Sequence, residues 1–329
     1  MEYRNLGKSG LKVSALSYGS WVTFGSQVDV DAAADMMKIA YDAGVNFFDN
    51  AEAYAGGESE IIMGKALKKL GWKRSDLVLS TKIFWGGKGP NDTGLSRKHI
   101  LEGTKAALER LQLDYVDLVF CHRPDYETPV EETVRAMSYL VDKGYALYWG
   151  TSEWSAREIT KAYELAERLH LVPPTMEQPQ YNLLDRTRFE VEYKPVFKEY
   201  GIGSTTWSPL SSGVLTGKYG EGIKEGRLLL PGYEWLKEHY ESEEGKKRIE
   251  TVERLRPIAK ELNISLAQMS LAWVTKNPNV STVITGASKP AQVEQNMKAL
   301  EVAKLLTPEV MARIDDIAGT KPEQPRDWR

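Results

Sequence analysis

Short apolar runs alternate with longer segments of helical period along almost the whole chain. Between the early runs, apolar residues recur at i, i+3, i+4 and i+7, which predicts the helices Asp31–Ala43 and Arg97–Leu111. Ser96 precedes the second of these helices and is a good N-cap. The apolar runs themselves predict eight strands: Ser14–Tyr18, Asn46–Phe48, Leu77–Thr81, Val116–Phe120, Ala146–Gly150, Thr175–Glu177, Gly203–Thr206 and Thr282–Ile284.

Eight strand–helix units favour a single (β/α)₈ TIM barrel, which typically needs about 250 residues, over a doubly wound sheet with a second domain. The surplus of this 329-residue chain can be located. No linker or change of composition marks a boundary, so residues 1–329 are predicted to form one domain. An N-terminal hairpin, Met1–Val13 with its turn at Ser9-Gly10, is expected to plug the barrel floor. The other additions are a long loop over one mouth (Ser211–Gly245), an extra C-terminal helix (Leu306–Gly319) and a tail (Lys321–Arg329).

The composition excludes several classes of protein. Hydrophobic residues make up 42% of the chain and the net charge is only −3, which argues against disorder and gives no electrostatic footprint for nucleic acid or an anionic membrane. No run approaches the ~18 apolar residues of a membrane span, and the N-terminus has no signal-peptide pattern. The single cysteine, Cys121, fits a reducing compartment. We therefore expect a cytoplasmic protein with no nucleic-acid partner and no membrane insertion.

Metal chemistry is not expected from this sequence. A zinc or haem site needs clustered ligands, and one cysteine with a few scattered histidines does not supply them. The histidines are His99, His122, His170 and His239.

Four polar residues follow three neighbouring predicted strands, where the catalytic residues of such barrels lie. Asp49 ends the second strand and Tyr54 follows it, Lys82 follows the third, and His122 follows the fourth. Taken singly, each has an ordinary structural explanation: a helix cap, a common tyrosine, a solvated lysine, a packed histidine. Taken together these explanations weaken, because Lys82 comes after the apolar run Leu77–Leu79 and would be costly to bury unpaired. Asp49 is the available anion.

This grouping predicts carbonyl reduction. A tyrosine has an ordinary pKa of about 10, and the Lys82 ammonium is expected to lower the pKa of Tyr54 towards the working range. Tyr54 would then give its proton to a carbonyl oxygen that His122 orients, while a hydride attacks the carbon. No side chain supplies a hydride, so a nicotinamide cofactor is needed. A Schiff-base aldolase using Lys82 is an alternative, although Asp49 would keep that lysine protonated.

The phosphates of the cofactor need ligands, and the chain has no usable Gly-x-Gly-x-x-Gly motif; Gly220-Glu221-Gly222 lies in a charged loop. Barrels often bind phosphate through the loops after the seventh and eighth strands and a helix N-terminus. These loops offer cations and a hydroxyl, which suit a phosphorylated adenosine and favour NADPH over NADH. The residues concerned are Trp207, Ser208, Pro209, Leu210, Lys218 and Arg227 on the first side and Gly286, Ser288, Gln292, Gln295 and Asn296 on the second.

Several long unbroken runs of residues carry a family resemblance. They are Trp21-Val22-Thr23-Phe24-Gly25, Thr81-Lys82-Ile83-Phe84-Trp85-Gly86-Gly87, Gly94-Leu95-Ser96-Arg97-Lys98-His99, Glu131-Glu132-Thr133-Val134-Arg135-Ala136-Met137, Trp149-Gly150-Thr151-Ser152 and Thr206-Trp207-Ser208-Pro209-Leu210. Along its whole length the chain resembles the aldo-keto reductase superfamily. Within it, the chain looks most like the β-subunits of Shaker-type voltage-gated potassium channels and their plant and bacterial relatives.

The resemblance implies a (β/α)₈ barrel that binds NADPH, a catalytic tetrad of Asp49, Tyr54, Lys82 and His122, and a homotetramer with a possible ion-channel partner. It also implies a set of residues that contact the cofactor. These are Ser20, Trp21, Gln27, Asp49, Lys82, Ser152 and Gln178 at the nicotinamide end, Trp207, Ser208, Pro209, Leu210, Ser212 and Lys218 along the pyrophosphate, and Arg227, Gly286, Ser288, Gln292, Gln295 and Asn296 around the adenosine and its 2′-phosphate.

The chain departs from the animal channel β-subunits at two positions. Those proteins are sluggish reductases with asparagine in place of His122, so the histidine here restores the general tetrad and implies competent catalysis. They also carry an arginine at the position of Glu153, and a carboxylate cannot make that contact with a phosphate.

Two functions follow from these observations. The first is NADPH-dependent reduction of aldehydes and some ketones, in a pocket lined by Trp21, Tyr54, Trp85 and His122. The second is a channel-associated redox adaptor with bound NADPH and slow catalysis. A complete tetrad argues against this being the only role of the protein. Alternation along the fourth strand predicts that Cys121 points to the opposite face from His122.

Overall fold

The computed structural model of the chain describes residues 1–21, 23–25, 27–224 and 226–326. An antiparallel hairpin of β1 (Tyr3–Asn5) and β2 (Lys12–Ser14) precedes eight parallel strands that close into a barrel. The order around the barrel follows the chain, and β10 pairs with β3 to close it. The barrel strands are β3 Leu16–Gly19, β4 Phe47–Asp49, β5 Val78–Ile83, β6 Val116–Cys121, β7 Ala146–Ser152, β8 Met176–Gln178, β9 Gly203–Thr206 and β10 Thr282–Thr285.

All eight predicted strands are confirmed, with ends that shift by at most two residues. The third predicted strand, Leu77–Thr81, is observed as Val78–Ile83, so that Lys82 is part of the strand and not of the following loop. The sequence predicted that a lysine after this apolar run would be buried only with a partner for its charge. The closed parallel barrel confirms the predicted fold class.

Helices alternate with the barrel strands and cover the barrel from outside. The predicted helix Arg97–Leu111 is observed with these bounds, and Ser96 caps it by accepting a hydrogen bond from the His99 N–H. The predicted helix Asp31–Ala43 begins and ends one residue earlier. The helices are α1 Val30–Asp42, α2 Glu58–Leu70, α3 Arg97–Leu111, α4 Val130–Asp142, α5 Ala156–Arg168, α6 Lys194–Tyr200, α7 Glu234–Glu241, α8 Glu243–Glu261, α9 Leu266–Thr275, α10 Pro290–Met297, α11 Ala299–Val302 and α12 Pro308–Ala318.

The N-terminal hairpin closes the floor of the barrel, as predicted. Leu6 and Val13 are fully buried and pack against Phe47, Phe120 and Met176 inside the barrel. The floor is therefore a packed apolar plug, and the opposite end, where the strands finish, is the open mouth.

The segment between β9 and α8 is only partly the long loop that the sequence predicted. Two short 3₁₀ turns, Ser211–Thr216 and Arg227–Leu229, and the whole of α7 lie within Ser211–Gly245. The helix was missed because α7 has eight residues and is dense in charge. Only Leu236 and Tyr240 among its side chains are buried, which is too few to reveal a period.

The C-terminal part agrees with the predicted extra helix. Thr307 caps α12, and Gly319 ends it in the left-handed region with φ 62°. Of the predicted tail Lys321–Arg329, residues 327–329 lie outside the described residues. Within the described ranges, none of the helices combines the length and the apolar character that crossing a membrane requires.

Cys121 faces away from the barrel interior, as alternation predicted. It packs in the large apolar cluster that joins the barrel to the surrounding helices, whereas its neighbour Phe120 packs in the interior cluster. Burial raises the pKa of the Cys121 thiol well above its ordinary value.

Candidate active site

A buried ammonium lies at the centre of the mouth. Lys82 on β5 is fully buried, and its Nζ donates to Asp49 Oδ2 at 2.6 Å, to the Asn50 carbonyl at 2.9 Å and to the Tyr54 hydroxyl at 3.0 Å. All three donors of the ammonium therefore have acceptors. The expected pairing of Lys82 with Asp49 is present, and it brings Tyr54 to the same nitrogen.

The backbone after β4 places Tyr54 over Lys82. Asn50 Oδ1 accepts from the Ala51 N–H at 2.9 Å, and the Ala51 carbonyl accepts from the Tyr54 N–H at 3.1 Å. A short 3₁₀ turn, Tyr54–Gly57, follows and leads into α2. This tight turn folds the chain back so that the tyrosine returns to the mouth.

The Asp49 carboxylate is oriented by two further donors. Ser80 Oγ donates to Asp49 Oδ1 at 2.8 Å, and Gln178 Nε2 donates to the same oxygen at 3.1 Å. Gln178 also donates to Thr205 Oγ1 at 3.2 Å. One carboxylate oxygen therefore binds Lys82 while the other binds neutral donors, which fixes the plane of the carboxylate.

Burial and neighbouring charges shift the pKa of Lys82 in opposite directions. Burial alone would lower the pKa of the Lys82 ammonium, but Asp49 and Tyr54 together raise it above its ordinary value. Lys82 is therefore protonated at neutral pH and is a poor nucleophile, which argues against the Schiff-base alternative.

The expectation that Lys82 lowers the pKa of Tyr54 overall is wrong for this structure. Burial of the phenol is the largest effect and raises its pKa, and the Lys82 charge offsets only part of that increase. The sequence could not weigh the two effects because it does not report how completely the hydroxyl is enclosed. The phenol is consequently held in its protonated form.

His122 lies beside Tyr54 at the end of β6. The centroids of the two rings are 5.8 Å apart. Burial lowers the pKa of His122 well below its ordinary value, and the charges of Lys82 and Arg123 lower it further. Its Nδ1 is buried and has no hydrogen-bond partner within the described residues. A neutral imidazole with an unused ring nitrogen is suited to bind a polar atom of a ligand.

Aromatic side chains surround these groups. The Trp21 ring stacks on Tyr54 with centroids 6.2 Å apart and meets the Trp207 ring edge-on at 5.8 Å. The Trp85 ring lies 5.0 Å from that of His122. Trp21 and Trp85 are 36% and 42% exposed, so the mouth has an accessible aromatic wall. All four residues expected to line the pocket are brought together here.

Two serines expected at the nicotinamide end bond to the backbone of Asp49 and Gln178. Ser20 Oγ donates to the Asp49 carbonyl at 3.1 Å, and Ser152 Oγ donates to the Gln178 carbonyl at 2.9 Å. Gln27 follows in the segment after β3, close to Trp21 in the chain.

The loop after β9 contains three serines with an unusual backbone conformation. Ser208, Ser211 and Ser212 adopt left-handed conformations, with φ 53°, 46° and 56°, which non-glycine residues rarely adopt. Successive turns of this kind form concave groups of N–H donors that bind anions. Pro209 and Leu210 lie within this segment, and the Leu210 carbonyl accepts from the Gly213 N–H at 2.9 Å.

Arg227 occupies an unexpected position. Its guanidinium carbon lies 3.9 Å from the Trp21 ring centroid and 5.0 Å from that of Tyr233. It forms no hydrogen bond with Ser288 or Gln292, although the family resemblance placed these residues together around the adenosine and its 2′-phosphate. The Nε and Nη2 atoms of Arg227 are buried and have no hydrogen-bond partner among the described residues. Burial lowers the pKa of the guanidinium.

The residues after β10 form their own group at the start of α10. Gln292 Oε1 accepts from the Ser288 N–H at 2.9 Å, and Asn296 Nδ2 donates to the Gly286 carbonyl at 3.4 Å. The Gln295 carbonyl accepts from Gln268 Nε2 at 3.2 Å. Lys218 lies in the long segment after β9, with its Nζ 5.0 Å from the ring centroid of Tyr219.

A nicotinamide dinucleotide fits these residues. His122 Nδ1 and two guanidinium nitrogens of Arg227 are buried without hydrogen-bond partners among the described residues, and a bound dinucleotide would satisfy such groups. The left-handed residues between Ser208 and Ser212 are of the kind found where backbone N–H groups bind anions. They lie at the mouth or in the segments that follow its strands.

Comparison with known proteins identifies the family. The family model described as "Aldo/keto reductase family" matches residues 15–318. The chain belongs to the aldo/keto reductase family. Two curated relatives, from Arabidopsis thaliana and Oryza sativa subsp. japonica, are each 56% identical to it over 331 residues and cover 100% of both chains. Each is named "Probable voltage-gated potassium channel subunit beta".

These findings confirm the resemblance that the sequence motifs carry. Membership of the family supports an oxidoreductase that takes a small-molecule substrate, and the family generally uses NAD(P)H.

The sequence reasoning missed the role of Glu153 in this aldo/keto reductase. Its Oε1 accepts from Trp207 Nε1 at 2.9 Å and from the Gln180 N–H at 2.6 Å, and its Oε2 pairs with Arg188. Glu153 itself is left-handed, with φ 59°. The carboxylate therefore fixes the indole of Trp207 at the mouth, where the animal relatives were expected to present an arginine to phosphate.

Arg123 was also passed over, although it directly follows His122 in the sequence. Its Nη1 donates to the His122 carbonyl at 2.5 Å and to Ser152 Oγ at 3.3 Å. The only available signal was its position after a barrel strand.

Proposed function

We propose that the protein reduces aldehydes, and some ketones, to alcohols with NADPH as the hydride donor. The observation that carries the proposal is the set of contacts at Lys82, whose single nitrogen is bonded to both Asp49 and Tyr54 beside a neutral His122. When bound, NADPH supplies the hydride that the carbonyl carbon accepts.

The side chains then have separate tasks. Tyr54 donates its phenolic proton to the carbonyl oxygen as negative charge develops there, and the Lys82 ammonium stabilises the phenolate that remains. Asp49 keeps Lys82 charged and in place. His122, neutral and with an unpartnered nitrogen, donates a hydrogen bond that orients the carbonyl. The raised pKa of Tyr54 keeps the phenol protonated before the reaction, and the Lys82 charge acts in the opposite direction by favouring the phenolate that forms.

The preference for NADPH over NADH rests on the cations and polar groups after β9 and β10. Arg227 has two unpartnered guanidinium nitrogens, and Ser288 begins the segment that leads into α10. We assign these groups, with Lys218, Gln292, Gln295 and Asn296, to the phosphates and adenosine. Equal dissociation constants for NADH and NADPH, measured by tryptophan fluorescence quenching, would contradict this assignment.

The test of the reaction is the loss of NADPH absorbance with a reactive aromatic aldehyde. Tyr54→Phe removes the proton donor and is expected to lower kcat by about 100-fold or more while NADPH still binds. Tyr163→Phe is the matched control, because it removes a phenolic hydroxyl from the outer helix α5, where Tyr163 stacks on Tyr200. If Tyr54→Phe reduces the aldehyde as fast as wild type, Tyr54 is not the acid.

A second candidate is a channel-associated redox adaptor that binds NADPH and turns over slowly. It is favoured by the printed names of the two relatives and by their full-length match. On this proposal the protein is a cytoplasmic homotetramer bound to an ion channel. Co-purification with a channel domain at equal stoichiometry would support it, and a homotetramer of fast turnover without a channel would count against it.

A further inference from the structure

We propose that Arg123 makes this site selective for aldehydes that carry a carboxylate. This inference rests on the proposed reductase function and names its substrate class. It is carried by a guanidinium that stacks into the aromatic wall of the mouth and has no ion pair there.

Arg123 completes a closed circuit of rings around the catalytic groups. Its guanidinium carbon lies 5.6 Å from the Trp85 ring centroid and 5.9 Å from that of Trp207. Trp85 in turn contacts His122, and Trp207 contacts Trp21, which stacks on Tyr54. A substrate that places its carbonyl between Tyr54 and His122 is therefore surrounded by aromatic faces and by one guanidinium.

Most of the donors of that guanidinium are unused. The hydrogen bonds of Arg123 to the His122 carbonyl and to Ser152 Oγ both come from Nη1. Nε and Nη2 make no hydrogen bond with the described residues. An arginine fork with two unused nitrogens matches the two oxygens of a carboxylate.

Two acids of the adjoining loops, Asp125 and Glu153, are already engaged. The carboxylate oxygens of Asp125 accept from the N–H groups of Leu95 and Glu127 and from Thr128 Oγ1. Those of Glu153 accept from Trp207 and Gln180 and pair with Arg188. Arg123 forms no ion pair within the described ranges, so its charge is available to a ligand.

The charge of Arg123 affects the pKa values of the reacting groups. It lowers the pKa of His122 and opposes the burial that raises the pKa of Tyr54. A second guanidinium of the mouth, that of Arg227, stacks on Trp21 and is assigned above to a cofactor phosphate. Of these two groups, Arg123 is the one left for the substrate, and a flat aromatic acid fits both the guanidinium and the ring faces.

The experiment compares two aldehydes of the same shape. 4-Carboxybenzaldehyde carries the charge, and 4-formylbenzamide replaces it by a neutral amide. The ratio of their kcat/KM values is measured with NADPH for wild type and Arg123→Gln. We expect the ratio to fall by roughly 10- to 100-fold in the variant, which is typical of losing a charge-assisted hydrogen bond. Because the comparison is a ratio of ratios, the intrinsic reactivity of each aldehyde cancels.

Two further variants separate recognition of the carboxylate by Arg123 from the overall electrostatic field of the protein. Arg123→Lys keeps the charge but not the fork, and is expected to recover only part of the ratio. Arg97→Gln removes a different stacked arginine, at the first residue of α3 and 5.0 Å from the Tyr139 ring centroid. It is expected to leave the ratio as in wild type. A ratio that changes equally in Arg97→Gln would overturn the proposal.

The remaining outcomes also decide the matter. An unchanged ratio in Arg123→Gln overturns the inference while leaving the reductase function intact. A tenfold weaker dissociation constant for NADPH with an unchanged ratio would assign Arg123 to the cofactor instead. If wild type reduces neither aldehyde, the reductase proposal fails, and binding of the two product alcohols is followed by tryptophan fluorescence. Arg123-dependent preference for the carboxylated alcohol then supports the inference, and equal binding overturns it.

Discussion

Replacement of Lys82 by methionine tests how the centre of the site is held together. Methionine has a stem of similar length, so the change removes the ammonium without leaving a large cavity. Three hydrogen bonds disappear, those to Asp49 Oδ2, the Asn50 carbonyl and the Tyr54 hydroxyl.

The expected loss of stability follows from what remains. Asp49 is 2% exposed, and without Lys82 its carboxylate keeps only the donors from Ser80 and Gln178. Removing one partner of a buried ion pair typically costs about 3–5 kcal/mol, because the other charge is left uncompensated. Adding Asp49→Asn removes that charge, so the double variant is expected to recover roughly 2 kcal/mol relative to the sum of the single changes.

The assay is urea unfolding of wild type, the two single variants and the double variant at one pH. The coupling free energy comes from the midpoints and slopes of the four curves. Conservation of the slope shows that the unfolding reaction itself is unchanged. If the two single changes add within about 0.5 kcal/mol, the ion pair is not coupled and the reasoning is refuted.

Three other changes test separate parts of the structure. Glu153→Ala removes the acceptor of Trp207 Nε1 and is expected to weaken NADPH binding several-fold, whereas Glu153→Gln keeps an acceptor and should retain most of it; fluorescence titration measures both. Burial raises the pKa of Glu177 to about 8 in the folded protein, so the folded state holds a proton that the unfolded state releases. Stability should therefore fall as pH rises from about 4.5 to about 8, and Glu177→Gln should reduce that slope in urea unfolding. Leu6→Ala opens a cavity in the floor plug and should cost about 2–5 kcal/mol, measured by the same method.

Each of these predictions has a result that would contradict it. Equal NADPH affinity in the alanine and glutamine variants would show that the carboxylate does not position Trp207. If the stability of wild type but not of Glu177→Gln rises between these pH values, the predicted direction of the pKa shift of Glu177 is wrong. A loss below about 1 kcal/mol for Leu6→Ala would show that the hairpin does not form part of the core.

Most of the barrel could be predicted because its strands are buried on both faces. Runs such as Val116–Phe120 are apolar at every position except Asp117, and the spacing between them leaves room for one helix each. The helix Arg97–Leu111 was bounded correctly because a Ser96 cap coincides with the onset of its apolar period. In contrast, α7 is short and charged, and its existence depends on packing that the local sequence does not express.

The candidate site was predictable in part for a similar reason. The carboxyl ends of parallel strands converge, so the proximity of Asp49, Lys82 and His122 follows from the topology. The direction of the Tyr54 pKa did not follow, because it depends on a balance between burial and the Lys82 charge. The contact of Arg227 with Trp21 depends on the path of the long segment between β9 and α8. Residue spacing alone does not determine that path.

Replacement of His122 tests most directly whether this aldo/keto reductase is a catalyst. NADPH oxidation with a reactive aromatic aldehyde is followed for wild type and His122→Asn side by side, with the NADPH dissociation constant measured for both. We predict fast turnover in wild type that falls by at least about 10-fold in the variant, with NADPH still bound. Tight NADPH binding with negligible turnover in both proteins would contradict it and favour the redox adaptor.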